Sequence, residues 1–183
     1  MLRHIAWFNE ASVAPDSEGA LTSEDESVRR RCLVPARIIE KLGVGCSVFG
    51  HLHDADPVHV SRHLQKLNAD IVVIGDITGP SRLRLARAAK HLGCYVVADF
   101  HGEEHDQAAL AQLMQVVDQA VAATPELASG LKKESGITAI VIPDCEEKDG
   151  SRPSPDAIAK LWLDCFKHLK LKPSVGANTN VPV

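Results

Sequence analysis

The sequence predicts an α/β protein: a Rossmann-like three-layer sandwich with a mainly parallel sheet of about six strands, plus a C-terminal helix. Two observations support this fold class. Short apolar runs rich in β-branched residues alternate with longer segments of helical periodicity, and this alternation continues along most of the chain. Strands and helices in alternation form right-handed βαβ crossovers, which place helices on both faces of a parallel sheet.

The strand candidates are short and almost free of charged residues. Such runs are typical of strands that are covered on both faces, as in a parallel sheet between two helical layers. The predicted strands are Arg3–Phe8, Gly45–Phe49, Asp70–Gly75, Cys94–Phe100, Gln119–Ala123 and Thr138–Ile142.

The helix candidates lie between these strands and carry boundary signals at both ends. A glycine follows three of them, where a left-handed C-terminal cap is favoured, and a proline opens three, where a missing N–H costs nothing. Ser23 and Glu26 have the spacing of a capping box at the start of the first helix. The predicted helices are Glu24–Leu42, Pro57–Leu67, Pro80–Leu92, Glu104–Val117 and Pro125–Ser135.

The pattern divides the chain into one domain and a C-terminal extension. Residues 1–147 form the Rossmann-like domain, and within it Asn9–Ser27 is acidic and rich in small residues, which predicts a mobile loop over the carboxyl edge of the sheet. Residues 148–172 form a linker and an amphipathic helix over Asp156–Lys170 that packs on the domain. Residues 173–183 are a flexible tail.

Composition excludes several classes of partner. The net charge of -4 gives no general attraction to nucleic acid, and no apolar run reaches the roughly 20 residues of a membrane span. The N-terminus lacks a secretory pattern, so we expect a cytoplasmic protein. The five cysteines are widely spaced and odd in number, which predicts reduced thiols.

One stretch, residues 89–147, carries a family resemblance. It resembles the latter part of the N-terminal domain of family 4-like GT-B glycosyltransferases, and the order of elements is similar over residues 1–147. The motifs that carry it are KHLGCYVVADFHGEEHD, VVDQAVAATPELASGLKKESGI and AIVIPDCEE. The residues at comparable positions are Asp118, Thr124, Leu127, Ile142, Pro143, Asp144 and Glu146.

The resemblance implies transfer of a sugar from a nucleotide sugar, as co-substrate, to an acceptor. It has two departures: Gly19 stands alone where many such enzymes carry a glycine-rich turn after the first strand, and no C-terminal donor domain follows residue 147. We therefore expect activity only if a partner protein or a homodimer completes the enzyme. No other cofactor is implied.

Acidic and imidazole side chains after the strand Cys94–Phe100 are the candidate catalytic residues. Asp99, His101 and Glu103 lie at the carboxyl edge, where sites of this fold are built. A carboxylate or imidazole there could accept a proton from an acceptor hydroxyl. The alternative is a solvated helix start, in which the acidic residues only favour the positive end of the helix dipole.

Three pairs of residues are candidates for binding a phosphate or another anionic group of the substrate. Arg29 and Arg37 are eight residues apart on one helix, where guanidinium groups can hold a phosphate, or else form a solvated basic face. The other two pairs lie at helix starts with free N–H groups, or at ordinary βα turns. They are Asp76 with Thr78, and Thr124 with Glu126.

Metal and covalent chemistry have weaker support. His101–His105 spells H-x-x-E-H, but Gly102 directly after a strand puts the first histidine before the helix, which argues against a zinc protease. A cluster of His51, His53 and His59 predicts a surface loop with adventitious metal affinity rather than a hydrolase centre. No metal site is predicted. The sequence also lacks a G-x-S-x-G elbow, a P-loop and GxGxxG.

The sequence therefore leaves more than one function open. The first is a glycosyltransferase-like protein that binds a nucleotide sugar or glycan. The second is a non-catalytic binding or assembly module derived from such an N-terminal domain. The third is a small α/β regulator or hydrolase, because folds of this kind host unrelated activities.

Overall fold

The computed structural model describes residues 2–50, 56–75, 80–102, 107–145 and 152–169. The strands are β1 (His4–Phe8), β2 (Ala14–Pro15), β3 (Leu21–Thr22), β4 (Gly45–Phe49), β5 (Ile71–Gly75), β6 (Tyr95–Phe100), β7 (Gln119–Ala122) and β8 (Ala139–Val141). The helices are α1 (Glu26–Val28), a π-helical segment (Arg29–Leu33), α2 (Val34–Lys41), α3 (Pro57–Leu67), α4 (Pro80–His91), α5 (Gln107–Met114), α6 (Pro125–Ser135) and α7 (Pro155–His168).

Six strands form one sheet in the order β4-β1-β5-β6-β7-β8, and every neighbouring pair is parallel. This arrangement confirms the predicted Rossmann-like α/β fold. After β1 the chain forms β4 on one side of β1, and it then crosses back to form β5 on the other side of β1. The crevice between the carboxyl ends of β1 and β5 is therefore the topological switch point, where ligands of open α/β sheets bind.

The two faces of the sheet are covered by different helices, which completes the three layers. Helices α3, α4, α5 and α6 pack on one face through buried aliphatic side chains such as Leu64, Leu85, Leu113 and Leu131. The π-helical segment, α2 and α7 pack on the other face. The division of the chain at residue 147 stays a prediction, but α7 lies on the sheet as the amphipathic pattern predicts.

Aromatic packing fixes α7 against the centre of the sheet. Trp162 and Phe166 are both buried, and their rings lie 6.3 Å and 6.2 Å from the ring of Trp7 in β1. The Trp7 and Trp162 rings meet edge to face at 86°. Aromatic rings of this size bury large apolar areas, and edge-to-face geometry is among their preferred arrangements. The C-terminal helix therefore belongs to the core.

Most predicted boundaries agree with the structure within a few residues. The bounds of β4, α3 and α6 are those predicted, and Gly43, Gly93 and Gly136 have φ of 87°, 83° and 72°, as left-handed caps require. All five cysteines are free, as expected. Within the described ranges no helix is both long enough and apolar enough to cross a membrane. The cytoplasmic location stays a prediction.

The first helix differs from the prediction in two ways. The capping box of Ser23 and Glu26 is wrong, because Asp25 caps the helix by accepting bonds from the backbone N–H of Ser27 and Val28. The helix also widens into a π-turn over Arg29–Leu33. Pro35 lies two residues after this segment; it has no N–H to donate to the carbonyl four residues earlier, and its ring crowds that carbonyl.

The segment after β1, for which the sequence predicts a mobile loop, contains a short hairpin. Strands β2 and β3 pair antiparallel, and the turn between them includes Gly19 at φ 81°. Asp16 stabilises the turn by accepting bonds from the N–H groups of Glu18 and Ala20, both at 2.9 Å. Asp16 and Gly19 together are the local signals of this turn. Whether the segment is mobile stays untested.

Truncating Trp162 tests the packing of α7. We expect Trp162→Ala to lower the free energy of unfolding by about 3–5 kcal/mol, because it removes a fully buried ring from the Trp7 cluster. Its neighbour Leu161 is 41% exposed, so Leu161→Ala should change stability by less than about 1 kcal/mol. Urea unfolding measures both. Equal losses for the two variants would contradict the packing of α7 on the sheet.

Candidate functional site

The predicted site residues separate into those that the structure describes and those that it does not. Glu103, Asp76 and Thr78 lie outside the described residues, as do His51 and His53 of the histidine cluster. The described candidates are Asp99, His101, Arg29, Arg37, Thr124 and Glu126. They occupy three different environments near the carboxyl edge of the sheet.

Asp99, at the end of β6, is fully buried and faces the helix layer that contains α2 and α7. Arg31 of the π-helical segment lies over it and is only 1% exposed. The Arg31 Nε donates to Asp99 Oδ2 at 2.9 Å, and its Nη2 donates to Oδ1 at 2.5 Å. Both carboxylate oxygens are thus held in a bidentate pair, the strongest geometry for an ion pair of this kind.

The same guanidinium also binds the chain that follows β8. Arg31 Nη1 donates to the carbonyl of Ile142 at 2.8 Å and to Asp144 Oδ1 at 3.0 Å. Burial acts to lower the pKa of Arg31, but the charge and hydrogen bonds of Asp99, together with those of Asp144, outweigh it and raise the pKa. Arg31 is therefore a permanent cation that joins the first helix, β6 and the exit of β8.

This geometry bears on the predicted catalytic role of Asp99. Asp99 is 0% exposed and both of its oxygens are bound by Arg31, so the carboxylate has no contact with solvent. Its catalytic role stays a prediction. The sequence analysis missed Arg31 as a partner, although a signal was present. Arg31 falls on the apolar stripe of Val28, Cys32 and Ala36, where an arginine requires a buried partner.

Arg29 and Arg37 both bind backbone carbonyls of the hairpin or of the segment after it, although Arg37 is exposed. Arg29 Nη1 donates to the backbone carbonyls of Ser23 at 2.6 Å and Glu24 at 2.9 Å. Arg37 Nη2 donates to the carbonyl of Leu21 in β3. The two arginines therefore hold the hairpin and the segment after it against the first helix, and substrate binding by them stays a prediction.

His101, Thr124 and Glu126 come together in one cavity of about 270 Å³ at the carboxyl edge. Thr124 caps α6, and its Oγ1 accepts a bond from the N–H of Leu127 at 3.1 Å. The first two residues come from the ends of β6 and β7, which are neighbours in the sheet, so topology explains why they meet. The lining is completed by Leu127, Gly130, Leu131 and Glu134.

Gly130 forms the open side of this cavity. Together with Glu126 and Glu134 it lies at four-residue intervals, so the three share one face of α6. A Cβ atom added to Gly130 would meet no other atom within 4 Å. The sequence analysis missed both Gly130 and Glu134, because a glycine inside a helix and an exposed glutamate carry no functional signal until the cavity is seen.

A second cavity of about 550 Å³ lies between the hairpin and α1. Its lining includes Ser12, Ser23, Glu24 and Asp25. Burial acts to raise the pKa of Asp25, but its hydrogen bonds to Ser27 and Val28 and the nearby charge of His101 outweigh this and lower the pKa. His101 is thus electrostatically coupled to the wall of this cavity as well as lining the smaller one.

Metal ligation has no support among the described residues. In those ranges no three His, Cys, Asp or Glu side chains are grouped so that they could hold a metal ion. His59, from the histidine cluster, is exposed on α3, and its Nδ1 lies 3.1 Å from Oδ2 of Asp56, which caps that helix. The cavity beside α6 brings together three of the predicted site residues, and its polar groups are a hydroxyl, an imidazole and carboxylates.

A double-mutant cycle tests the Arg31 and Asp99 pair. We expect Arg31→Met to lower the free energy of unfolding by about 3–5 kcal/mol, because Asp99 would remain buried without its partner. In the double variant Arg31→Met, Asp99→Leu, the free energy of unfolding should fall by much less than the sum of the losses in the two single variants. Urea unfolding gives the coupling energy.

The exposed pair of Arg3 and Asp70 provides the control for this cycle. Arg3 is 47% exposed at its side chain, so the same cycle there should give a coupling below about 1 kcal/mol. Additive losses at Arg31 and Asp99 would contradict a tightly coupled buried pair.

Comparison with known proteins finds similarity at the level of fold. No family model matches the chain, and no curated protein matches it. MurG of Acinetobacter baumannii superposes with a TM-score of 0.51 at 13% identity, over 77% of this chain and 45% of MurG. The chain thus spans less than half the length of that protein.

Two further structures align at lower scores. The beryllofluoride-activated NtrC receiver domain aligns with a TM-score of 0.40 at 16% identity, over 91% of this chain and 98% of that domain. The diflavin flavoprotein A3 from Nostoc sp. aligns with a TM-score of 0.40 at 16% identity, over 92% of this chain and 99% of the flavoprotein chain. At these identities the similarity shows the fold alone. The chain therefore has a Rossmann-like fold similar to the one found in the GT-B glycosyltransferase MurG.

Proposed function

We propose that the chain is the acceptor-binding unit of a glycosyltransferase-like protein. It would hold a hydroxyl-bearing acceptor, and a partner or a second copy would supply the nucleotide sugar. The observation that carries this proposal is the cavity that brings His101, Thr124 and Glu126 to one place at the carboxyl edge. The sequence places all three at this edge: His101 after a strand, and Thr124 and Glu126 at the start of a helix.

The lining of the cavity suits a polyhydroxylated ligand. The carboxylates of Glu126 and Glu134 accept hydrogen bonds, and the hydroxyl of Thr124 both donates and accepts. Leu127 and Leu131 form an apolar wall against which the C–H face of a sugar ring can pack. A few polar groups placed around an apolar wall are the usual composition of a small-molecule site.

His101 is the residue that could take part in transfer. Its imidazole could accept the proton of the acceptor hydroxyl while the hydroxyl oxygen forms a bond to the donor sugar carbon and the nucleoside diphosphate leaves. Asp25, in the wall of the larger cavity, lies near enough to His101 for the two side chains to interact electrostatically. The fold similarity to MurG is compatible with this role but adds no residue to it.

A non-catalytic binding module is the second candidate, and one observation favours it. Of the three predicted catalytic residues, the structure describes Asp99 and His101, and Asp99 is bound on both oxygens by Arg31. A module of this kind would bind the same ligand in the same cavity. It would differ in that no sugar transfer would depend on His101.

Filling the cavity from Gly130 tests the site without disturbing the fold. The probes are UDP, GDP, their common sugar conjugates and the corresponding methyl glycosides, titrated by calorimetry at low salt. We expect saturable saccharide binding to the native chain. We expect Gly130→Gln to weaken that binding at least about tenfold, since its side chain would occupy the space beside Glu126 and Glu134.

The stability of the variant and a second histidine provide controls. Gly130→Gln should be stabilised by about 0.5–1 kcal/mol, because glycine is unfavourable inside a helix and the added Cβ meets nothing. His91→Ala, at the end of α4 on the opposite edge of the sheet, should leave binding unchanged. Unchanged binding in Gly130→Gln, or no binding of any probe to the native chain, would contradict the proposed site.

His101→Ala separates the two candidates. If His101 accepts the proton, this variant should bind saccharide with an affinity within a few-fold of the native chain but lose sugar transfer. Transfer is measured as the release of nucleoside diphosphate in the presence of the partner unit. If transfer is absent from the native chain and from every variant while binding persists, the module is favoured instead.

A further inference from the structure

The topological switch point carries a second polar cluster that the proposed function does not use. It lies at the carboxyl ends of β1 and β5, where Asn9 and Glu10 follow β1 and Gly75 ends β5. Helix α4 opens beside it after β5. Two of the side chains there, Asn9 and Arg82, are only 1% exposed. Buried polar groups at a switch point require a reason, because apolar side chains would fill the same space at lower cost.

Arg82 places a buried positive charge at the start of α4. It is the third residue of this 12-residue helix, so its guanidinium adds to the positive end of the helix dipole. The Arg82 Nη2 lies 2.7 Å from Oε1 of Glu10, whose side chain is 26% exposed. Glu10 is therefore a carboxylate that reaches from the solvent side into a positively charged end of the crevice.

Asn9 adds a hydrogen-bond donor that the described structure does not use. Its Oδ1 accepts a bond from Cys32 Sγ at 3.3 Å, whereas its Nδ2 is buried and has no partner among the described residues. The amide lies against Gly75, where an added Cβ would be 2.8 Å from Oδ1. An unsatisfied buried N–H costs about 1–3 kcal/mol, which a bound oxygen atom would recover.

We propose that the crevice between β1 and β5 is a phosphoryl-binding site in which the carboxylate of Glu10 occupies the position of the anion. A phosphoryl group there would receive the guanidinium of Arg82 in a bidentate contact and the unused Nδ2 of Asn9. The first turn of α4 would add favourable electrostatics. Binding requires Glu10 to move aside, which its partial exposure allows. The site adjoins the cavity beside α6, because a Cβ added to Gly75 would also lie 3.5 Å from Nε2 of His101, but the proposal does not rest on that cavity.

Removing the charge of Glu10 tests this proposal. Glu10→Gln keeps the size of the side chain and removes its negative charge, so free phosphate should bind in its place. We expect inorganic phosphate to raise the Tm of Glu10→Gln more than that of the native chain, both relative to chloride at the same ionic strength. Calorimetric titration should show phosphate binding at least about tenfold tighter in the variant.

Two controls keep the result specific. Asp70→Asn removes a carboxylate from Arg3 at the opposite edge of the sheet, and phosphate should stabilise this variant no more than the native chain. The double variant Glu10→Gln, Arg82→Gln removes both charges of the pair, so it should fold and lose the phosphate effect. Equal stabilisation of Glu10→Gln by phosphate and chloride, or a phosphate effect that survives in the double variant, would overturn the proposal.

Discussion

A buried ion pair joins three parts of the chain that are far apart in sequence, and the carboxyl edge of the sheet depends on it. Arg31 binds Asp99 at the end of β6 and the carbonyl of Ile142 after β8. Because a buried charge without its partner is strongly destabilising, these contacts are mutually required. They explain why the first helix lies across β6 and why the chain leaves β8 toward the layer that contains α7.

The end of β6 supplies one side chain to a buried ion pair and another to the lining of a cavity. Asp99 faces the layer of α2 and α7 and is bound by Arg31, whereas His101, two residues later, lines the cavity beside α6. A third group of charges, Glu10 with Arg82, lies at the switch point between β1 and β5. The last two groups meet near Gly75, where an added Cβ would approach both Asn9 and His101, but different side chains carry the charges of each.

The sequence could predict what depends on local patterns. The bounds of α3 and α6 follow from a proline at the start and a residue in the left-handed conformation at the end, and β4 follows from its apolar run. The π-turn before Pro35 and the cap at Asp25 were missed, because they depend on how the first helix sits on the sheet. The place of Arg31 on an apolar stripe signals a buried partner, but Asp99 is 68 residues away, so no local pattern identifies it. The position of Gly130 beside a cavity is visible only in the structure, where the space next to it is empty.

Arg31 is buried and bound by Asp99, whereas His101, just after the same strand, lines the cavity beside α6. The most direct measurement is the exchange rate of the Arg31 Nε proton with water, observed by NMR in the native chain and in Asp99→Asn. The structure predicts slow exchange in the native chain, because this proton is donated to Asp99 Oδ2 out of contact with solvent, and much faster exchange in the variant. Rapid exchange in the native chain, like that of an exposed arginine, would contradict this arrangement of the carboxyl edge.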